Sequence, residues 1–149
     1  MLMSPALSAS RELIIFVGLP ASGKTTYYRE HFAATHVHVS KDLMPHARRR
    51  GDRQELEIGQ ALDAGRDVVV DNTNPSAAVR APLIALGRRH GARIIAYYFE
   101  ATVKDCLARN RQREGKARVP DVAIFVTLKK LAPPTVAEGF DEVRVVNCA

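Results

Sequence analysis

The sequence predicts an α/β fold: one domain on a mainly parallel five-stranded sheet with helices on both faces. Two observations predict it. Apolar runs of strand length alternate with helical segments along the chain, and the runs are continuous, as strands covered on both faces require. The residues Gly18-Leu19-Pro20-Ala21-Ser22-Gly23-Lys24-Thr25 directly follow the apolar run Leu13–Val17, which sets the pattern G-x-x-x-x-G-K-[ST] behind a strand.

The elements follow in order. Leu13–Val17 is the first strand, and a helix is expected from Gly23 to about Phe32. Val37–Ser40 is a short strand. Glu55–Ala64 reads as a helix stopped by Gly65. Asp67–Asp71 encloses Val68-Val69-Val70 and reads as a buried strand. Pro75 suits a helix start with Asn74 as its cap, and that helix runs to about Arg89, before Gly91. Ile94–Phe99 is a strand, Lys104–Glu114 and Asp121–Leu131 are helices, and Val143–Val146 is the last strand. Ligands of such sheets sit beyond the carboxyl ends of the strands. Gly18, Ser40-Lys41-Asp42 and Asp71 fall at that edge.

Composition bounds the class. A chain of 149 residues, 46% hydrophobic and 26% charged, is long enough for one well-packed domain and is not of disordered type. Residues 1–10 are expected to be a flexible N-terminus and 11–149 the domain. The first residues lack the basic start and apolar core of a secretory signal, and no apolar run approaches the ~20 residues of a membrane span. Cys106 and Cys148 lack metal-type spacing, so inert thiols in a reduced, cytoplasmic setting are expected. The net charge of +6 is concentrated: Lys41–Arg53 carries +3 and Lys104–Arg118 carries +4. Two basic patches imply anionic partners, or else two solvated helix faces.

The octet explains one of those partners. Gly18 and Gly23 let the backbone fold tightly with its N–H groups turned onto phosphate oxygens. Lys24 adds charge at the β- and γ-phosphates, the Thr25 hydroxyl suits Mg²⁺, and a helix opening near Gly23 adds its dipole. The expected fold is therefore a three-layer P-loop NTPase/kinase domain. ATP and Mg²⁺ are the expected cofactors, and Ala21, Ser22 and Thr26 join Gly18, Gly23, Lys24 and Thr25 in the nucleotide site. Asp71, a carboxylate ending a buried strand, is the expected second metal ligand. Asp42 lies just past the second strand, where a kinase needs a base for an acceptor hydroxyl; the same spacing fits a helix cap or a partner of Lys41. Arg109 and Arg113 share an expected helix face and suit a clamp on donor phosphates within a lid at about 104–118. Asn72-Thr73-Asn74-Pro75 also fits turn chemistry. His36 and His38 face one side of a strand, and no third metal ligand is apparent.

Together these residues resemble the polynucleotide 5′-kinases, the kinase domains of phage and animal end-healing enzymes. The resemblance runs from about Arg11 to Val146. It rests on Gly18–Thr25, Ser40-Lys41-Asp42, Asp71-Asn72-Thr73-Asn74-Pro75 with Arg80, Arg109-Asn110-Arg111-Gln112-Arg113, Val119-Pro120, and Pro134 to Phe140. It implies that Asp42 is the general base toward a nucleic-acid 5′-hydroxyl and that Arg109 and Arg113 are lid arginines. It also implies that Asn72 and Thr73 border the acceptor site. The chain departs from the family at Lys41, where Arg or Asn is usual, and at Pro45, where the phage enzyme carries an acceptor-phosphate arginine. Arg48 and Arg49 are the expected substitutes. Three uses of the site stay open: a polynucleotide 5′-kinase, a small-molecule kinase acting on a sugar, nucleoside or antibiotic, and an ATP-binding interaction module without catalysis. Oligomeric state has no signature in the sequence.

Overall fold

The computed structural model describes residues 11–44 and 48–147. The N-terminal segment 1–10, Pro45 and Cys148 lie outside the described residues, and so do the expectations placed on them. Among the described residues the strands are β1 (Glu12–Val17), β2 (His36–Val39), β3 (Asp67–Val70), β4 (Arg93–Glu100) and β5 (Glu142–Asn147). The helices are α1 (Lys24–His31), α2 (Arg50–Asp63), α3 (Ala77–Arg89), α4 (Val103–Gln112) and α5 (Asp121–Lys130).

The sheet has the order β2-β3-β1-β4-β5, and every neighbouring pair is parallel. The expected three-layer α/β architecture is what forms. Side chains alternate across the sheet. Leu13, Ile15 and Val17 of β1 pack with Val68 and Val70 of β3 against Ile58 and Leu62 of α2 and Leu83 and Leu86 of α3. Ile14 and Phe16 point the other way, with Val69, Tyr97 and Phe99, onto Tyr28 of α1. A third cluster lies at the carboxyl end: Leu19 and Ala21 of the first loop rest on Cys106 of α4 and Ile124 of α5. The loop after β1 is thereby seated on the two C-terminal helices.

Two helix starts differ from expectation. α2 opens at Arg50 rather than Glu55, because ion pairs Arg49–Asp52 and Arg53–Glu57 span the first turns of what composition marks as a basic run. α3 opens at Ala77 with Ser76 as its cap, the Ser76 hydroxyl accepting from Val79 N–H, so Asn74 and Pro75 precede the helix. Asn74 is buried with φ 42°, and its side-chain amide donates to the Phe16 carbonyl at 2.8 Å.

Arg80 of α3 is 0% exposed. Its guanidinium grips both carboxylate oxygens of Glu138, at 2.8 and 3.0 Å, and donates to the carbonyls of Asn74 and Ala132. Glu138 also accepts from Thr135 N–H at 2.9 Å, closing the short 3₁₀ turn Val136–Glu138 before β5. A buried cation is tolerated only when paired and hydrogen-bonded, and this one is both. Burial pushes the Glu138 carboxyl up, but the hydrogen bonds from Arg80 and Thr135 outweigh it and hold the group below its ordinary value of 4.5.

Arg80→Ala is expected to lower unfolding free energy by about 3–5 kcal/mol, because it strands a partly buried carboxylate and two carbonyls. Urea denaturation measures it, and a loss under 1 kcal/mol would contradict the pairing. Asp141 is also held low, first by Arg88 and then by the Ile94 N–H. A depressed carboxyl contributes stability above its unfolded pKa and loses it as pH falls through the folded one. Unfolding free energy should therefore decline as pH drops below about 4.5, and less steeply in Glu138→Gln.

Candidate active site

The site is assembled at the carboxyl edge of β1, β3 and β2. Where β1 ends, the Gly18 N–H donates to the Thr73 carbonyl at 3.0 Å, tying the loop to the segment after β3. A side chain at Gly18 would sit 3.0 Å from Phe99 Cβ and from Ser22 Oγ, so anything larger than glycine is crowded there. Gly23 has φ 94°, a left-handed conformation that glycine adopts without strain, and it precedes α1 without a side-chain cap. The first N–H groups of α1 thus lack intrahelical acceptors and point out of the helix start, the arrangement that receives a phosphate.

Lys24 is buried, and its ammonium donates to the carbonyls of Gly18 (3.1 Å) and Leu19 (2.6 Å) and to Ser22 Oγ (3.3 Å). Burial lowers its pKa to about 8; Asp71 opposes the shift, Arg113 adds to it, and Asp42 opposes it. The charges of Asp71, Arg113 and Asp42 are therefore all felt at the lysine. Thr25 Oγ1 donates to Asp71 Oδ2 at 2.8 Å, so the two expected metal ligands are in direct contact. The donor set of one hydroxyl and one carboxylate fits Mg²⁺, which keeps most of its ligands as water and phosphate oxygen.

His38 shares the α1 side of the sheet with His36, as the alternation predicts, but sequence reasoning missed its partner. Its Nε2 lies 2.8 Å from the same Asp71 oxygen, and its ring stacks on Tyr28 at 4.0 Å. The signal was the two-residue alternation along β2, which puts His38 one step nearer the loop than His36; its partner Asp71 is distant in sequence and invisible from pattern.

Asp42 sits exposed on a 3₁₀ turn, Lys41–Leu43, immediately after β2. Its N–H donates to Ser40 Oγ, while the Lys41 N–H donates to Asn72 Oδ1 at 3.0 Å. The Asn72 amide in turn donates to Gln54 Oε1 of α2 at 2.6 Å. The Asn72 side chain thus positions the Asp42 turn, and Thr73 contributes its backbone carbonyl to Gly18. Arg48 and Arg49 are exposed at the approach to α2 and line a second cleft of about 510 Å³ with Asp52 and Arg53. Arg50 reaches from α2 to the Lys41 carbonyl at 3.4 Å.

On the other side of the loop a cleft of about 420 Å³ opens, lined by Ser22, Gly23, Thr26, Tyr27, Arg109 and Arg113. The Arg109 guanidinium lies over Gly23, where an added Cβ would meet its Nη1 at 3.7 Å. Arg113 falls just beyond α4, with extended backbone, so the two arginines do not share one helix face as expected. They still converge on the cleft, because the chain after α4 folds back. Buried Asn110 holds that return: its amide donates to the Val119 carbonyl (2.7 Å) and to Asp121 (3.1 Å), and its Oδ1 accepts the Val119 N–H (3.0 Å).

A lysine titrating near 8 must be charged to meet a triphosphate. Binding raises its pKa, so affinity is complete below about 8 and falls as pH climbs above it, by up to about tenfold per unit. ATP affinity measured from neutral to alkaline pH is expected to show that slope, and a flat profile would contradict it. Lys24→Ala is expected to abolish the binding.

Comparison with known proteins agrees with this fold. A bifunctional polynucleotide phosphatase/kinase of Schizosaccharomyces pombe is 26% identical over 145 residues, 93% of this chain and 34% of that protein. The chain thus spans about a third of the length of the curated relatives it matches. Among solved structures, Chaetomium thermophilum Kti12 in complex with ADP-AlF₃ superposes with a TM-score of 0.70 at 16% identity, over 91% of this chain and 89% of that one. A fungal RNA kinase gives 0.68 at 15% identity, over 93% and 38%. No helix among the described residues is long and apolar enough to cross a membrane. The AAA domain family model matches residues 13–134, from β1 through the return after α5, and the chain belongs to that family.

Proposed function

We propose that the protein is an ATP-dependent kinase that transfers the γ-phosphate to the 5′-hydroxyl of a nucleic acid. The observation that carries this reading is the convergence at one sheet edge of Lys24, the Thr25–Asp71 pair and the Asp42 turn. β3 lies between β2 and β1, so Asp71 stands between the base-bearing turn and the phosphate loop.

In this mechanism the loop N–H groups and Lys24 hold the β- and γ-phosphates. Thr25 and Asp71 would hold Mg²⁺, which supplies charge neutralisation between those phosphates. Asp42 accepts the proton of the acceptor hydroxyl as its oxygen bonds to the γ-phosphorus and the bond from that phosphorus to the β,γ-bridging oxygen breaks. The products are ADP and a phosphomonoester. Arg109 and Arg113 stabilise the charge on the transferring group from the loop's far side. Most of the acceleration is positioning and electrostatics, since the transition state is loose and highly charged. Two features support a polynucleotide acceptor: the name of the 26%-identical S. pombe relative, and the exposed Arg48, Arg49, Arg50 and Arg53 beside the Asp42 turn.

Labelled γ-phosphate should pass from ATP to 5′-hydroxyl DNA or RNA oligonucleotides in preference to sugars, nucleosides or aminoglycosides. Label on a small compound alone would move the acceptor to that class, and label nowhere would leave nucleotide binding as the activity. Asp42→Asn is expected to cut turnover about 10²–10⁴-fold with ATP affinity unchanged. Unchanged turnover would remove Asp42 from the mechanism. Arg48→Ala with Arg49→Ala should raise the oligonucleotide KM and reduce its salt slope by about one per lost phosphate contact.

A further inference from the structure

The sheet edge opposite the phosphate loop brings together three side chains that the phosphotransfer site does not use. Glu12, His36 and Asp67 open β1, β2 and β3, and β3 lies between the other two. Register pairs His36 with Asp67, and it pairs Leu13 with Val68, so Glu12 stands level with Asp67. Level residues of parallel strands share a face, here the one that carries Ile14 and Val69 beneath α1. His36 Nε2 is 2.8 Å from Glu12 Oε2, and one ligand-type atom from each of the three residues lies within 4.8 Å of the others.

The surroundings suit a cation. The His36 side chain is 8% exposed, and Thr35 Oγ1 lies 2.7 Å from its Nδ1, the kind of outer partner that fixes a ligating imidazole. Glu12 is 33% exposed, which leaves the cluster open to water on one side. Two carboxylates level on adjacent strands repel each other. Two neighbouring arginines are occupied elsewhere: Arg93, level with Glu12 on β4, bonds Glu142 at 2.9 Å, and Arg11 donates to the His90 carbonyl at 2.6 Å. Asp67 Oδ1 accepts the Glu12 N–H at 2.8 Å, so its second oxygen remains to serve an ion.

We propose that Glu12, His36 and Asp67 form a divalent-cation site that clamps the starts of three strands. One imidazole nitrogen and two carboxylate oxygens, with water in the fourth position, suit Zn²⁺ above Mg²⁺. The role is structural, and it is independent of the acceptor or the kinase reading.

The test uses the purified chain freed of metal with a chelator. Calorimetric titration with ZnCl₂ should show one saturable site, with MgCl₂ far weaker. Tm should rise by about 5–10 °C at a hundredfold excess over Kd. His36→Gln and Asp67→Asn should each weaken Zn²⁺ at least tenfold and shrink the Tm shift. Asp71→Asn, which removes the carboxylate beside His38, should leave Zn²⁺ affinity unchanged and so exclude uptake at the phosphate-loop edge. If circular dichroism shows that His36→Gln does not fold, the partly exposed Glu12→Gln carries the same expectation. Absence of saturable binding would overturn the proposal, as would Zn²⁺ affinity unaffected by Asp67→Asn and by the His36 or Glu12 variant; the His36–Glu12 contact would then be a hydrogen-bonded pair and nothing more.

Discussion

The segment that leaves β3, Asp71 to Asn74, is the constraint on which the rest of the molecule hangs. Each residue reaches a different element. Asp71 takes the Thr25 hydroxyl and the His38 ring, Asn72 takes the Asp42 turn and α2, Thr73 takes the Gly18 N–H, and Asn74 takes the Phe16 carbonyl. β3 is an inner strand with β1 on one side and β2 on the other. Its exit is therefore a place from which one short segment touches the phosphate loop and the Asp42 turn together. The left-handed backbone at Asn74 is the strain accepted there, offset by a buried side-chain hydrogen bond.

Electrostatics follows from that arrangement. Lys24 is surrounded by loop carbonyls and a nearby carboxylate, and burial still dominates, leaving the ammonium easier to deprotonate than in water. A triphosphate relieves that cost by supplying the missing counter-charge. Arg113 pushes in the same direction as burial, so positive charge is concentrated around the loop. Such a site gains more from an anion than an already neutralised one does.

The fold was legible in the sequence because its signals are local. Continuous apolar runs in β1, β3 and β4 and the glycine-framed octet fix strand, loop and helix from neighbours alone. The boundaries that moved, at α2 and α3, were set by pairs such as Arg53–Glu57 and by the choice of Ser76 over Asn74 as a cap, both decided by tertiary geometry. The candidate site was legible for Lys24, Thr25 and Asp71, residue types that a phosphate and a metal would call for and that the structure brings together. It was not legible for His38, Gln54 and Asn110, whose partners lie many residues away or depend on a chain reversal. His36 is the same case: the carboxylates that complete its cluster, Glu12 and Asp67, come from two other strands.

Much of what marks this chain to the eye belongs to its scaffold. Asn74, Arg80, Glu138 and the glycine at 139, whose φ is 117°, brace the frame, while the exposed Asp42 carboxylate stands almost outside it. Lineage and chemistry are thus written in different letters. A descendant that replaced Asp42 would fold as before and still be recognised as kin, whatever became of the chemistry proposed for it.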